Sequence, residues 1–138
     1  MATSTTVDRN AALTGRKTVL EAAGPLAAPS LCWMAGATLL IRQFTTGITT
    51  PSNGDMDLSL GAATAAQTGT VTELQVRDRN DAVHRTFTVG GPGSGRDIVV
   101  SIVAGSGSGV SFDGSNNLVV SQAGAGIDPW VLRYTQQA

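Results

Sequence analysis

Along residues 69–90, apolar and polar positions alternate with a period of two on either side of a polar tetrad. The run reads G-T-V-T-E-L-Q-V-R-D-R-N-D-A-V-H-R-T-F-T-V-G. Thr72, Leu74 and Val76 fall on one side and Val71, Glu73, Gln75 and Arg77 on the other. Asp78-Arg79-Asn80-Asp81 then turns the chain. Successive side chains of a strand point to opposite faces, so this pattern around an Asx-rich turn predicts two antiparallel strands. Weaker versions recur. Residues 37–44 read as the first strand, 57–60 as a short strand, and 97–103 as a strand with Ile98, Val100 and Ile102 on one face. Residues 110–112 and 118–122 flank an Asp113-Gly114 turn, a hairpin signal. Residues 130–135 close the chain with Trp130, Leu132 and Tyr134 on one face and Val131 and Arg133 on the other. Gly, Asn and Ser mark residues 47–55, 90–95 and 124–128 as loops, and small residues mark 62–69 as a connection.

The start of the chain has another pattern. Thr5 or Thr6 can cap a helix that runs to the Gly24-Pro25 stop, with Asp8 in its first turn. Leu13, Val19, Leu20 and Ala23 would form a narrow apolar stripe. Gly15 lowers the helix propensity, and an extended arm is the competing reading. Residues 25–29 read as a linker. The division is then an N-terminal arm or helix with linker over 1–36 and an antiparallel β domain over 37–138. The fold class is mainly β: an antiparallel β-sandwich or small barrel with a short N-terminal helix or extended arm.

At 138 residues the chain suits one domain and can bury a real core. Charged residues make up 14%, replaced by small neutral ones such as 17 Gly. Such a surface costs little to desolvate, which suits a protein packed against neighbours. A net charge of −1 argues against a general nucleic-acid footprint. The cations are eight Arg and one Lys, a bias that either an interface or a GC-rich genome produces. The single Cys32 excludes an intrachain disulfide and reads as a small buried hydrophobe. Residues 1–10 lack the basic and apolar regions of a secretory signal. The apolar stretch 26–41 is short for a membrane span and is broken by Pro29, Ser30 and Gly36. Neither a nucleic-acid nor a membrane partner is expected.

The chemistry-bearing residues are few. Gly90 to Gly95 mimics the spacing of a phosphate-binding loop. Arg96 and Asp97 stand where Lys and Ser or Thr are needed, and a strand follows where a helix is needed. Gly105-Ser106-Gly107-Ser108-Gly109 holds no G-x-S-x-G elbow. The lone His84 falls on the exposed face of a strand beside Arg85, with no companion nucleophile. Asp55 and Asp57 share a strand face, but two carboxylates are only a fragment of a hard-cation site. Asp78, Asn80 and Asp81 read as turn chemistry. Arg77, Arg79 and Arg85 crowd one hairpin in a mixed field, which fits intersubunit ion pairs or a solvated turn. Trp33 is placed where linker becomes strand and is an interface candidate beside those three arginines. Trp130, by its strand phase, belongs to the core. No catalytic residue, metal or cofactor is expected.

The stretch from Gly69 to Val83, with its Arg77-Asp78-Arg79-Asn80-Asp81 turn, resembles one found in small virion-associated proteins of tailed bacteriophages. The segment Gly36-Ala37-Thr38-Leu39-Leu40-Ile41-Arg42 is similar to the first strand of those proteins, which often begin with a short helix or arm. The resemblance covers about half of the chain, its motifs are structural, and residues after Gly105 depart from it. It implies a non-enzymatic bacteriophage virion structural protein, most readily a capsid decoration or cement protein. Its partners would be the major capsid protein or other virion proteins, with self-association, and its location the virion, assembled in the host cytoplasm. The alternative is a tail, baseplate or fibre-associated module that binds a host glycan or protein. A third reading, a small hydrolase using His84, ranks last.

Overall fold

The computed structural model describes residues 5–90, 93, 95, 96, 98, 99 and 110–135. Its first element, α1 (Thr6–Glu21), begins where Thr5 Oγ1 accepts a hydrogen bond from the Asp8 N–H at 3.1 Å. That bond satisfies one of the four N–H groups left free at a helix start. The helix buries Leu13 and Leu20 completely, while Val19 stays half exposed and Ala23 is exposed. The expected stripe is therefore narrower. Positions 10, 13, 17 and 20 share a face, and polar Asn10 and Lys17 interrupt it.

The strands follow in chain order: β1 (Ser30–Ala35), β2 (Thr38–Ile48), β3 (Asp55–Leu60), β4 (Ala63–Thr64), β5 (Gly69–Thr70), β6 (Glu73–Arg77), β7 (Val83–Phe87), β8 (Val89–Gly90), β9 (Ile98–Val99), β10 (Val110–Phe112), β11 (Leu118–Val120), β12 (Gly126–Ile127) and β13 (Trp130–Thr135). Six of them form one antiparallel sheet in the order β13-β3-β2-β1-β6-β7. The sheet curls into a half-barrel, and the protein is mainly β with a short N-terminal helix. Three small ladders, β10-β11-β5, β12-β4 and the parallel pair β8-β9, complete the described structure.

Register explains the core. Trp33 stands opposite Ile41 and Leu74, Leu31 opposite Val76, and Leu58 opposite Leu132. All of these side chains are buried and face the concave side, where Leu13, Leu20, Leu118 and Ile127 join them. Three register shifts, at Trp33/Met34, Thr45/Gly47 and Val76/Arg77, add the local twist that bends the sheet.

Several element boundaries move relative to the sequence reading. The first strand is Ser30–Ala35 rather than residues 37–44, and it lies inside the sheet between β2 and β6. The loop at 47–55 contains a tight turn, with Asn53 and Gly54 at positive φ and Ser52 and Asp55 exchanging backbone hydrogen bonds. The turn between β10 and β11 spans Asp113 to Asn117, with Asn116 at φ 64°. The glycine runs at 90–95 and 105–109 and the strand expected over 97–103 lie largely outside the described residues. No described helix is long and apolar enough to cross a membrane.

Candidate functional site

The Asp78–Asp81 turn is where most of the polar side chains converge. β6 and β7 pair with a bulge: Val76 faces Arg85 and Arg77 faces Val83, so His84 is the extra residue. A bulge re-aims the side chain it carries. His84 accordingly leaves the exposed face that strict alternation assigns to it, and its side chain is only 7% exposed. Its Nε2 lies 2.8 Å from Asp78 Oδ2 and its Nδ1 lies 2.9 Å from Arg16 Nη1 on α1. A guanidinium only donates, so Nδ1 accepts and Nε2 carries the proton given to Asp78.

Asp78 is itself buried. Its Oδ1 accepts from the backbone N–H groups of Asn80 at 2.9 Å and Ala82 at 3.0 Å. The His84 hydrogen bond holds the Asp78 carboxyl below the usual carboxylate range; burial opposes this and the two backbone donors reinforce it. The turn also grips residues 24–26. Arg79 Nε donates to the Leu26 carbonyl at 2.8 Å, and the Leu26 N–H donates to the Arg79 carbonyl at 3.0 Å. At Gly24 a Cβ would sit 2.5 Å from the Arg79 carbonyl oxygen, so no larger residue fits this approach.

On the convex face, Asp81 joins two strands. It accepts from Arg42 Nη1 of β2 at 2.9 Å and from Arg77 Nη1 of β6 at 3.1 Å. The Arg42 bond, with Arg77 adding to it against partial burial, keeps the Asp81 carboxyl below its ordinary range. Arg42 also donates to Ser30 Oγ, and Arg77 to Gln75 Oε1, while Gln75 Nε2 donates to Glu73. This polar grid covers Ser30, Cys32 and Met34, which are buried although they face away from the core. The register places Phe44, Ser30, Arg77 and Val83 in one row across the face, with Phe44 39% and Val83 49% exposed.

The residues singled out from the sequence thus have definite places. Trp33 is fully buried, and its indole donates to Gln43 Oε1 at 2.8 Å. Its strand belongs to the sheet interior, so it offers no exposed ring for stacking. Arg77 and Arg79 are bonded within the chain, and Arg85 lies over the rings of Phe87 at 5.0 Å and Tyr134 at 4.8 Å. Trp130 is half-buried and also donates to Gln43 Oε1. Cys32 is buried. Asp55 and Asp57 do share a face; Asp57 pairs with Arg133 at 3.2 Å. With Thr49, Ser52 and Asn53 they line a shallow polar cleft of about 200 Å³. Among the described residues no group of three or more His, Cys, Asp and Glu side chains could hold a metal ion. Sequence reading missed Arg16, Arg42 and Gln43, because their partners lie on other elements and no local spacing announces them. Comparison with protein-family models, with curated proteins and with solved structures yields no match.

Proposed function

We propose that this chain is a non-enzymatic structural protein of a bacteriophage virion, acting as a capsid decoration or cement protein through protein–protein contacts. The observation that carries the reading is the pre-ordered convex face. Its charged side chains are already locked to one another in the Arg42–Asp81–Arg77–Gln75–Glu73 grid. Docking a partner on such a face immobilises few additional rotamers, so little conformational entropy is lost on binding. The low charge content and the resemblance of residues 69–83 support the same reading. The partner is then the major capsid protein or another virion protein, with further contacts between copies of the chain.

The alternative module that binds a host glycan is less well supported, since Trp33, its most suitable aromatic residue, is buried. Particles depleted of this chain and incubated with the purified protein provide the test. Co-sedimentation, with density on the outer shell by electron cryomicroscopy, is the expected result. Density at the tail would favour the alternative, and failure to associate at any salt concentration would overturn the virion reading.

A further inference from the structure

An imidazole links α1 to the β6–β7 hairpin through the hydrogen bond between Arg16 and His84. We propose that Arg16, His84 and Asp78 form an acid-sensitive latch that loosens α1 from the sheet when the His84 ring takes up a second proton. In the structure Nδ1 accepts from Arg16 and Nε2 donates to Asp78. Both ring nitrogens are used by a neutral imidazole of one tautomer. A second ring proton must go on Nδ1. It would then point at an Arg16 nitrogen 2.9 Å away, setting donor against donor and cation against cation. The Asp78 contact survives, because a carboxylate accepts even more strongly from imidazolium.

The sign follows from comparing the helix docked with the helix loosened. Asp78 stays on the ring in both states, so its effect cancels. Arg16 faces the ring only in the docked state, so a proton on Nδ1 sets the two cations against each other only there. Docking weakens as the pH falls. The other charged groups nearby are engaged elsewhere. Asp81 pairs with Arg42 and Arg77, Arg79 donates to the Leu26 carbonyl, and Arg85 lies over Phe87 and Tyr134. On α1, Lys17 pairs with Glu21. The helix keeps Leu13 and Leu20 in the core and the Gly54 N–H on Asn10 Oδ1. With these contacts kept, acid loosens α1 where Arg16 meets the hairpin and leaves the half-barrel folded.

Hydrogen exchange of the full chain tests this, compared at about pH 7.5 and about pH 5.5, on either side of the usual histidine range, after correction for intrinsic exchange. Amides of α1 are expected to lose protection roughly three- to tenfold on acidification, the scale of one lost polar contact. Amides of β1, β2 and β6 hold theirs. Arg16→Met should show the lowered α1 protection already at the higher pH and no further acid response. Unchanged α1 protection in the wild-type protein would overturn the latch. So would a parallel loss across the sheet, or a full acid response in Arg16→Met.

Discussion

Gln43 is a polar side chain on the concave, apolar face, and its amide is fully occupied. Its Oε1 accepts from both Trp33 and Trp130 at 2.8 Å, and its Nε2 donates to the carbonyls of Gly61 at 3.0 Å and Asp128 at 3.4 Å. Gln43→Leu would leave two indole N–H groups without an acceptor. The buried Trp33 orphan costs about 1–3 kcal/mol and the half-buried Trp130 less, so we expect a loss of about 1–4 kcal/mol in urea unfolding. Asp78 and Asp81 contribute to the acid sensitivity of the fold. Their carboxyl pKa values are lowered in the folded chain, so the stability they add is present above the ordinary carboxylate range and is lost as the pH falls through the folded values. Asp78→Asn should flatten the fall in stability below about pH 4, where an ordinary aspartate titrates, and lower stability at neutral pH. Unfolding midpoints measured across that range check both. At this scale the sequence was legible where alternation held and failed at His84, because a single bulge residue reverses the face.

Elements were legible in proportion to how unequal their two faces are. The strands β6 and β13 alternate because one face is core and the other is surface. β1 does not: Ser30 through Met34 are all buried, with core on one face and the Arg42–Arg77 grid on the other. A strand covered on both faces reads as a continuous apolar run, which is why the sequence suggested linker there and began the sheet one strand late. The helix start was readable from Thr5 and Asp8, since a cap is local chemistry. Two glycines bracket the consequences. Gly15 lies inside α1 with open space around its Cβ position, so Gly15→Ala should stabilise by about 0.5–1 kcal/mol. Gly24→Ala would collide with the Arg79 carbonyl, and should expose residues 24–26 and the β6–β7 turn to faster amide exchange. Thermal unfolding of the two variants should therefore shift in opposite directions.

The curl of the whole sheet was not legible, because it depends on three register shifts and on where the last strand returns. β13 pairs with β3, and the opposite end of the sheet is β7. The curvature brings side chains of these end strands together: Phe87 and Tyr134 meet edge to face with ring centroids 6.4 Å apart, and the Arg85 guanidinium lies over both. Removing that clasp with Arg85→Ala should cost about 1–2 kcal/mol, between the worth of an exposed and of a desolvated cation–π contact. It should also raise amide exchange in β7 and β13 while the central β1 and β2 keep theirs.

A strand at the end of an open sheet is a template on which another chain can add a strand, and crowding multiplies the risk. Here the two end strands turn their aromatic side chains on each other across the Arg85 clasp. Many copies of the molecule can then stand side by side without one sheet growing into the next. The same clasp, once broken, would supply the seed: Arg85→Ala is the variant in which concentrated protein should first form intermolecular β-structure.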